Sequence, residues 1–499
     1  MKKTMPTSLR NHVVFVLFDG LRPDLITPAY TPNLCRLSRQ GVMLERQRTV
    51  FPSETRIAMT SLVTGATPDR HGIVGNRYFD RSSTGRFAVN TADHRLIEKL
   101  DTESGGRLLG VPSLGEILAA HGRSLAVLAS NSAGATRLFN HKARALGHAT
   151  LSGHFPDVAT SAELLDQVQR RFGPVPPAPP KGTPDLEAQR LLASTFLELV
   201  WPERRPDVTI LSFSEPDTSS HYCGTAAAET RQALRFADEQ FGRVLDWWEA
   251  EGRAEGVHLI VASDHGHVSV QAKADPVDAL EAAGLRCGSG EASEVDIDAV
   301  VLPGQVGAIY LTDPTEEAIR RAVAAMMERP WCGPVFTAAQ GDVEGVAPGS
   351  FARHLVFADH GRVADILFAY RSDSEADPFG LAGRTWSADW GIGLGVHGGL
   401  HSAEMAATGI LAGTHFKRGI PSTTPSSIVD LAPTALRILG IAPPATMTGR
   451  VLSECLEQSV ETPSVVEEVE EAGTGRYRQR LRRAAVGENR YVEGAEAQS

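Results

Sequence analysis

Six side chains with only nitrogen or oxygen donors recur along this 499-residue chain, two of them after short apolar runs: Asp19, Asp217, His221, Asp264, His265 and His397. In Glu215-Pro216-Asp217-Thr218-Ser219-Ser220-His221 the Asp and His lie one helical turn apart, so a helix or compact loop aims both at one ion. Asp264 and His265 are adjacent and cannot share a strand face, but on a loop leaving the strand both reach one ion. His397 sits in Gly395-Val396-His397-Gly398-Gly399, where glycines let the backbone bend around a site. Beside the set, Phe51-Pro52-Ser53-Glu54-Thr55 is a hydroxyl-rich turn able to supply a nucleophile. Imidazole and carboxylate without thiolate suit zinc, with manganese and iron as nearest rivals. Each fragment alone reads as an ordinary turn or, for Asp19, a helix cap. Together they read as a two-metal hydrolase.

Elements must bring these residues to one place. Apolar runs at Val13–Phe18, Leu125–Ala129, Val208–Phe213 and Leu259–Ala262 alternate with helical stretches at Pro32–Gln40, Ser113–Ala120 and Ala226–Ala250. This alternation predicts an α/β fold with a mostly parallel central sheet flanked by helices. Asp19, Asn131 with Ser132, Glu215 with Asp217, and Asp264 follow the strands. The carboxyl edge of such a sheet is where ligands bind. Arg56 to Thr64 reads as a helix closed by Gly65, its first-turn amides facing an anion.

From 278 to 390 the chain carries strand and helix signals of its own but no fitting ligand, which predicts a cap lobe inserted into a core of residues 1–277 and 391–457. Gly173 to Lys181 is a stiff proline-rich surface loop. Residues 458–499, acidic and then basic, read as a charged tail, flexible or docked on a neighbour. No internal repeat is present.

With 42% hydrophobic and 22% charged residues the chain can bury a large core. Its net charge of −11 argues against nucleic acid polymers and anionic membranes as partners. Met1-Lys2-Lys3-Thr4 resembles the start of a signal peptide, but the apolar run that follows is short and ends at Asp19, so it reads as a core strand. No run reaches the length of a membrane span. The five cysteines, Cys35, Cys223, Cys287, Cys332 and Cys455, are odd in number and unpatterned, which fits reduced thiols and a cytoplasmic location. Cys223 reads as a packing residue near the site.

Val14-Phe15-Val16-Leu17-Phe18-Asp19-Gly20, the Phe51–Thr55 turn and Thr64-Gly65-Ala66-Thr67-Pro68-Asp69-Arg70-His71-Gly72-Ile73-Val74-Gly75-Asn76 resemble the nucleotide pyrophosphatase/phosphodiesterase branch of the alkaline phosphatase superfamily. Glu215-Pro216-Asp217 with His221, Ser263-Asp264-His265-Gly266, His397-Gly398-Gly399 and the Val429–Ile441 segment follow in that family's order. The resemblance runs from about residue 12 to about residue 455. It implies an alkaline phosphatase-like three-layer sandwich. It also implies two zinc ions, one held by Asp217, His221 and His397, the other by Asp19, Asp264 and His265. Thr55 would be the nucleophile and itself a metal ligand, passing through a covalent phospho-enzyme, and the Asn76 amide would help hold the phosphoryl oxygen. Ser53 stays as a reserve nucleophile.

One departure concerns the substrate. The family usually follows its nucleophile with an aromatic that lines a nucleobase pocket; here Arg56 stands there. A guanidinium forks onto carboxylate or phosphate, and the alternative is a surface residue of the helix's first turn. A small phosphodiester or pyrophosphate is therefore expected, with phosphonoacetate hydrolase or phosphomonoesterase as the alternatives that Arg56 and Lys142 allow. An oligomer is compatible with all of these. His267 reads as hydrogen-bonded to its loop rather than as a seventh ligand, His71 as structural, His141 and Lys142 as a solvated helix end. His401 and Glu404 stay undecided between substrate contact and support.

Overall fold

The computed structural model describes residues 10–81, 87–291, 294, 296–460 and 462–498. Met1 to Thr4 lie outside them. Eight strands form the central sheet: β1 (His12–Phe18), β2 (Val42–Leu44), β3 (Leu125–Ala129), β4 (Ala149–Ser152), β5 (Val208–Phe213), β6 (Val257–Ala262), β7 (Gly409–Ala412) and β8 (Ile420–Ser422). Their spatial order is β8-β2-β7-β6-β1-β5-β3-β4. Only β7 runs against its neighbours, so the sheet is mostly parallel.

β1 explains the three layers. All seven of its residues are buried, and because side chains alternate across a strand its apolar residues serve two cores. Val13, Phe15 and Leu17 join Ile57, Met59 and Leu62 of helix α1 (Thr55–Thr64), with Leu431 and Leu436 of the helix Leu431–Ile438. Val14, Val16 and Phe18 face Leu234, Phe241 and Leu245 of the long helix Ala228–Trp247. Burying a side chain of this size contributes about 1.5–3 kcal/mol, so helices are held on both faces of one sheet. This is the alkaline phosphatase-like α/β sandwich.

Between β6 and β7 the chain builds two further sheets. One runs in the order Cys287–Gly288, Ala299–Leu302, Val306–Leu311, Ile366–Tyr370, Cys332–Thr337, Phe351–Ala352. Helices Pro276–Ala282 and Glu316–Met327 share a core with it. The other joins Val268–Lys273 to Ala382–Ser387 in parallel and to Gly395–Val396 in antiparallel fashion. That pairing stitches residues just after His265 to those just before His397.

The carboxyl-terminal stretch corrects the expectation of a flexible charged tail. Val465–Thr474, Tyr477–Val486 and Asn489–Gln498 form a three-stranded antiparallel meander. The charged residues alternate with buried ones: Tyr477 and Leu481 turn inward, Leu481 into the main core and Tyr477 into that of the six-stranded sheet. Glu468 and Glu470 pair with Arg483 across the strands. Along Tyr477–Val486, Arg478 and Arg480 take the exposed side of the pleat while Tyr477, Gln479 and Leu481 take the buried one.

Candidate functional site

Three carboxylates leave three neighbouring strands. Asp19 follows β1, Asp217 opens the helix α2 (Asp217–Cys223) just after β5, and Asp264 follows β6. Since β5, β1 and β6 are adjacent and parallel, their carboxyl ends deliver the three side chains side by side. His221 stands one turn along α2 from Asp217. His397 follows a strand paired with Val268–Ser269, which places it over His265. The two rings stack at 3.6 Å with 12° between their planes.

The expected ligands gather into two abutting groups. In one, Asp217 Oδ1 lies 3.3 Å from the Nε2 of both His221 and His397, whose two nitrogens are 3.1 Å apart. In the other, His265 Nε2 lies 3.2 Å from Asp264 Oδ2 and 3.6 Å from Asp19 Oδ1. Donors about 2.0–2.1 Å from a tetrahedral ion are about 3.3 Å from one another, so these spacings fit a metal.

Hydrogen bonding gives the same answer. The Nδ1 atoms of His221, His265 and His397 meet the carbonyls of Gly395, Gly266 and Ser53 at 2.9, 3.1 and 2.8 Å. A carbonyl only accepts, so in each neutral ring Nδ1 carries the proton and Nε2 a lone pair. Lone pairs then face carboxylate oxygens, an arrangement that repels unless a cation lies between them. Asp19 Oδ1, Asp217 Oδ1 and Asp264 Oδ2 are buried without a hydrogen-bond partner, while the opposite oxygens of Asp19 and Asp264 are held by Asn131 Nδ2 at 2.6 Å and Gly20 N at 3.0 Å. Carboxylates fixed at one oxygen and bare at the other are built to take ions. Asn131, itself held by Ser212, is a supporting residue to which sequence reasoning gave no role.

The electrostatics follow from crowding. Burial, then the charges of Asp264 and Asp217, push the Asp19 carboxyl well above its ordinary range. Burial opposes ionisation of Asp217 too, but His221 and its neighbours outweigh that and hold it well below. Burial and the adjoining His265 push His397 down to about 3, which keeps its ring neutral.

Thr55 is the first residue of α1, and its Oγ1 lies 3.1 Å from His265 Nε2. Ser53 is committed elsewhere: its hydroxyl donates to the Gly399 carbonyl at 2.8 Å and accepts from Gly398 N at 3.0 Å. Gly398 has φ 124°, and a Cβ there would stand 2.6 Å from that of Gln305. Asn76 Oδ1 accepts from Arg56 N at 3.2 Å, so that first-turn amide is already used and the Asn76 amide NH2 is the donor that remains. Glu54 accepts from the backbone N of Asn76 and ties the two loops together.

Glu54, Thr55, Asn76, Asp217, His221 and His397 floor a cavity of about 370 Å³ whose wall includes Arg56, Tyr222, Leu302, Gln305 and Trp390. Arg56 is half-buried, its Nε donating to Thr91 Oγ1 at 2.9 Å. That removes the reading of a free surface residue. Trp390 stacks on His221 at 4.4 Å with 15° between planes, and Gln305, with its amide turned to satisfy both neighbours, donates to the His397 carbonyl and accepts from the Trp390 indole. Neither was found by sequence reasoning, and no local pattern marks them.

Other candidates fall away from the cavity. Lys142 donates to the Gly106 carbonyl and pairs with Glu116, so it is no substrate cation. Cys223 Sγ points to the Gly182 carbonyl. His71 is held between Ser61 and Ile73 N. Glu404 accepts from the amides of Gly399 and His401, bracing the His397 loop. His267 does not bond its own loop: its Nδ1 meets the Gly20 carbonyl, after β1, at 3.1 Å.

Comparison with known proteins bears on the family and the fold. Human ectonucleotide pyrophosphatase/phosphodiesterase family member 1 is 25% identical over 250 residues, 50% of this chain and 22% of that protein. Mouse family member 7 is 23% identical over 271 residues, 54% of this chain and 53% of its own. The chain thus spans between about a fifth and about half of these relatives. The solved structure of murine ectonucleotide pyrophosphatase/phosphodiesterase 5 superposes with a TM-score of 0.58 at 16% identity, covering 90% of this chain and all of that one. An inactive variant of it in complex with AMP gives 0.59. The family model for type I phosphodiesterase/nucleotide pyrophosphatase matches residues 13–372, and the chain belongs to that family.

Proposed function

We propose that the protein is a zinc-dependent phosphohydrolase that cleaves phosphodiester or pyrophosphate bonds in small nucleotide-like substrates. The observation that carries this is Thr55 Oγ1, 3.1 Å from His265 Nε2 at the edge of two N/O ligand groups. Asp217, His221 and His397 would hold one ion; Asp19, Asp264, His265 and Thr55 the other. When bound, the two ions would favour the ionised threonine and offset charge on the phosphoryl oxygens and the leaving oxygen. Thr55 Oγ forms a bond to phosphorus as the ester or anhydride oxygen departs from the opposite side, taking the bonding pair. Water then attacks the phosphothreonine, and Thr55 Oγ leaves in turn. The Asn76 amide donates to a phosphoryl oxygen throughout.

Family membership and the fold shared with a protein solved in complex with AMP support a nucleotide-type substrate. Tyr222 and Trp390, 5.5 Å apart, offer flat apolar surface on the cavity wall. Arg56 supports a second reading, phosphonoacetate hydrolase or phosphomonoesterase, because its guanidinium faces the same cavity; the placement of Lys142 takes away the other cation. Manganese or iron in place of zinc would suit the same donors. The five cysteines are unpaired, which supports a reducing, cytoplasmic setting. Purified zinc-loaded protein should hydrolyse an aryl phosphodiester and a dinucleoside pyrophosphate faster than an aryl phosphomonoester or phosphonoacetate. The reverse ranking selects the second reading, and no turnover of any of the four rejects both.

A further inference from the structure

His267 is built like the ligands beside it. Its Nδ1 meets a backbone carbonyl, that of Gly20, at 3.1 Å, as those of His221, His265 and His397 meet theirs. In the neutral ring the lone pair is then on Nε2. This atom is buried, has no hydrogen-bond partner, and points at Asp217 Oδ1 from 3.1 Å, slightly closer than His221 or His397 at 3.3 Å. The ligand atoms of Asp217, His221, His267 and His397 all lie within 4.8 Å of one another. A histidine kept only for its loop would have no reason to turn a bare nitrogen toward a bare carboxylate oxygen.

The backbone makes room for this ring. Gly20 has φ 70°, and a Cβ there would come within 2.3 Å of His267 Cε1. The glycine after Asp19 therefore leaves the pocket into which the imidazole fits, while its carbonyl sets the tautomer. On the other side, the ring centroids of His221 and His397 lie 5.3 and 5.1 Å away, so three imidazoles surround one oxygen.

We propose that His267 is a fourth protein ligand of the ion at Asp217, giving it one carboxylate and three imidazoles, whereas the neighbouring ion has two carboxylates, His265 and Thr55. This rests on the two-metal reading above. The test separates the ring's two nitrogens. In His267→Asn a side-chain amide can still donate to the Gly20 carbonyl, but nothing occupies the place of Nε2; in His267→Glu an oxygen reaches that place. Zinc binding is measured by competition with a chromophoric chelator, the metal-free unfolding midpoint by circular dichroism, and the visible spectrum after cobalt loading. His267→Asn should weaken one of two ions by more than about a hundredfold, beyond what an outer-sphere partner costs, leave the other ion and the metal-free midpoint unchanged, and alter the cobalt bands. His267→Glu should regain most of the lost affinity. Wild-type affinity and spectrum in His267→Asn, or Glu binding no better than Asn, overturns the assignment. His221→Ala is the control: if it loses an ion and His267→Asn does not, only His267 is misassigned. If wild-type protein binds fewer than two ions, the two-metal reading itself falls.

Discussion

The floor of the cavity and its wall are made differently. The carboxylates at and beneath the floor leave adjacent parallel strands whose ladders fix their backbones on both sides, and Asn131 and Gly20 N each hold one oxygen of Asp19 and Asp264. The wall mixes the start of α1, α2 and the stretch of chain that connects β6 to β7: Arg56, Tyr222, Leu302, Gln305 and Trp390. A sheet edge sets positions to within a hydrogen bond, while a connecting stretch can change without disturbing it. The floor should then determine whether any phosphoester is cleaved, and the wall which one.

Removing the nucleophile gives the largest effect expected. Thr55→Ala should lower turnover of every substrate by at least about a thousandfold while metal content stays near wild type, because Asp19, Asp264 and His265 remain. Ser53→Ala should be far milder in turnover, its hydroxyl being spent on the Gly398–Gly399 loop. If Ser53→Ala abolishes turnover and Thr55→Ala does not, the nucleophile has been misplaced.

Next comes a residue of neither floor nor wall. Leu481 is fully buried in the main core from the carboxyl-terminal meander, so Leu481→Ala should cost about 2–5 kcal/mol of stability, read from the denaturant midpoint. An unchanged midpoint would mean that the meander opens independently of the body.

Arg56→Ala sharpens the comparison directly. If the guanidinium grips a second anionic group, losing a charge-assisted contact of about 1.5–3 kcal/mol should reduce kcat/KM about tenfold to hundredfold for substrates with that second charge, mainly through KM. An aryl diester without it should barely respond. Equal losses on both would place Arg56 with the floor, as a support for α1 through Thr91.

The two regions also differed in what their sequence disclosed. β1 was expected at Val13–Phe18 and runs His12–Phe18, because an unbroken apolar, β-branched run ending in a carboxylate has few other uses. The ligands were legible because metal chemistry restricts residue type, and their order along the chain matched that of the family they resemble. Gln305 and Trp390 were not, since glutamine and tryptophan serve many purposes and their roles depend on pairing between residues 268–273 and 382–396. His267 was half legible: its closeness to His265 was plain, but the direction of its bare nitrogen depends on Gly20, far away in sequence. The meander was hidden by the density of Glu and Arg in its strands, where runs such as Glu470-Glu471 and Arg482-Arg483 break the alternation that marks a strand.

The smallest predicted effect tests whether the wall reaches the floor. Trp390 lies nearly parallel to His221 at 4.4 Å and also borders the cavity. A stacked aromatic pair contributes about 0.5–1.5 kcal/mol beyond the area it buries, so Trp390→Ala should alter kcat/KM by about twofold to tenfold. If the indole acts on substrate, the loss should fall on substrates with a planar leaving group or base and appear in KM. If it acts through His221, the loss should be the same for all substrates and accompanied by weaker zinc binding. Trp390→Phe keeps a ring over His221 but removes the indole N–H that meets Gln305. Full recovery in that variant would assign the effect to stacking alone, whereas no recovery would assign it to the Gln305 bridge that ties the stretch between β6 and β7 to the carbonyl of His397.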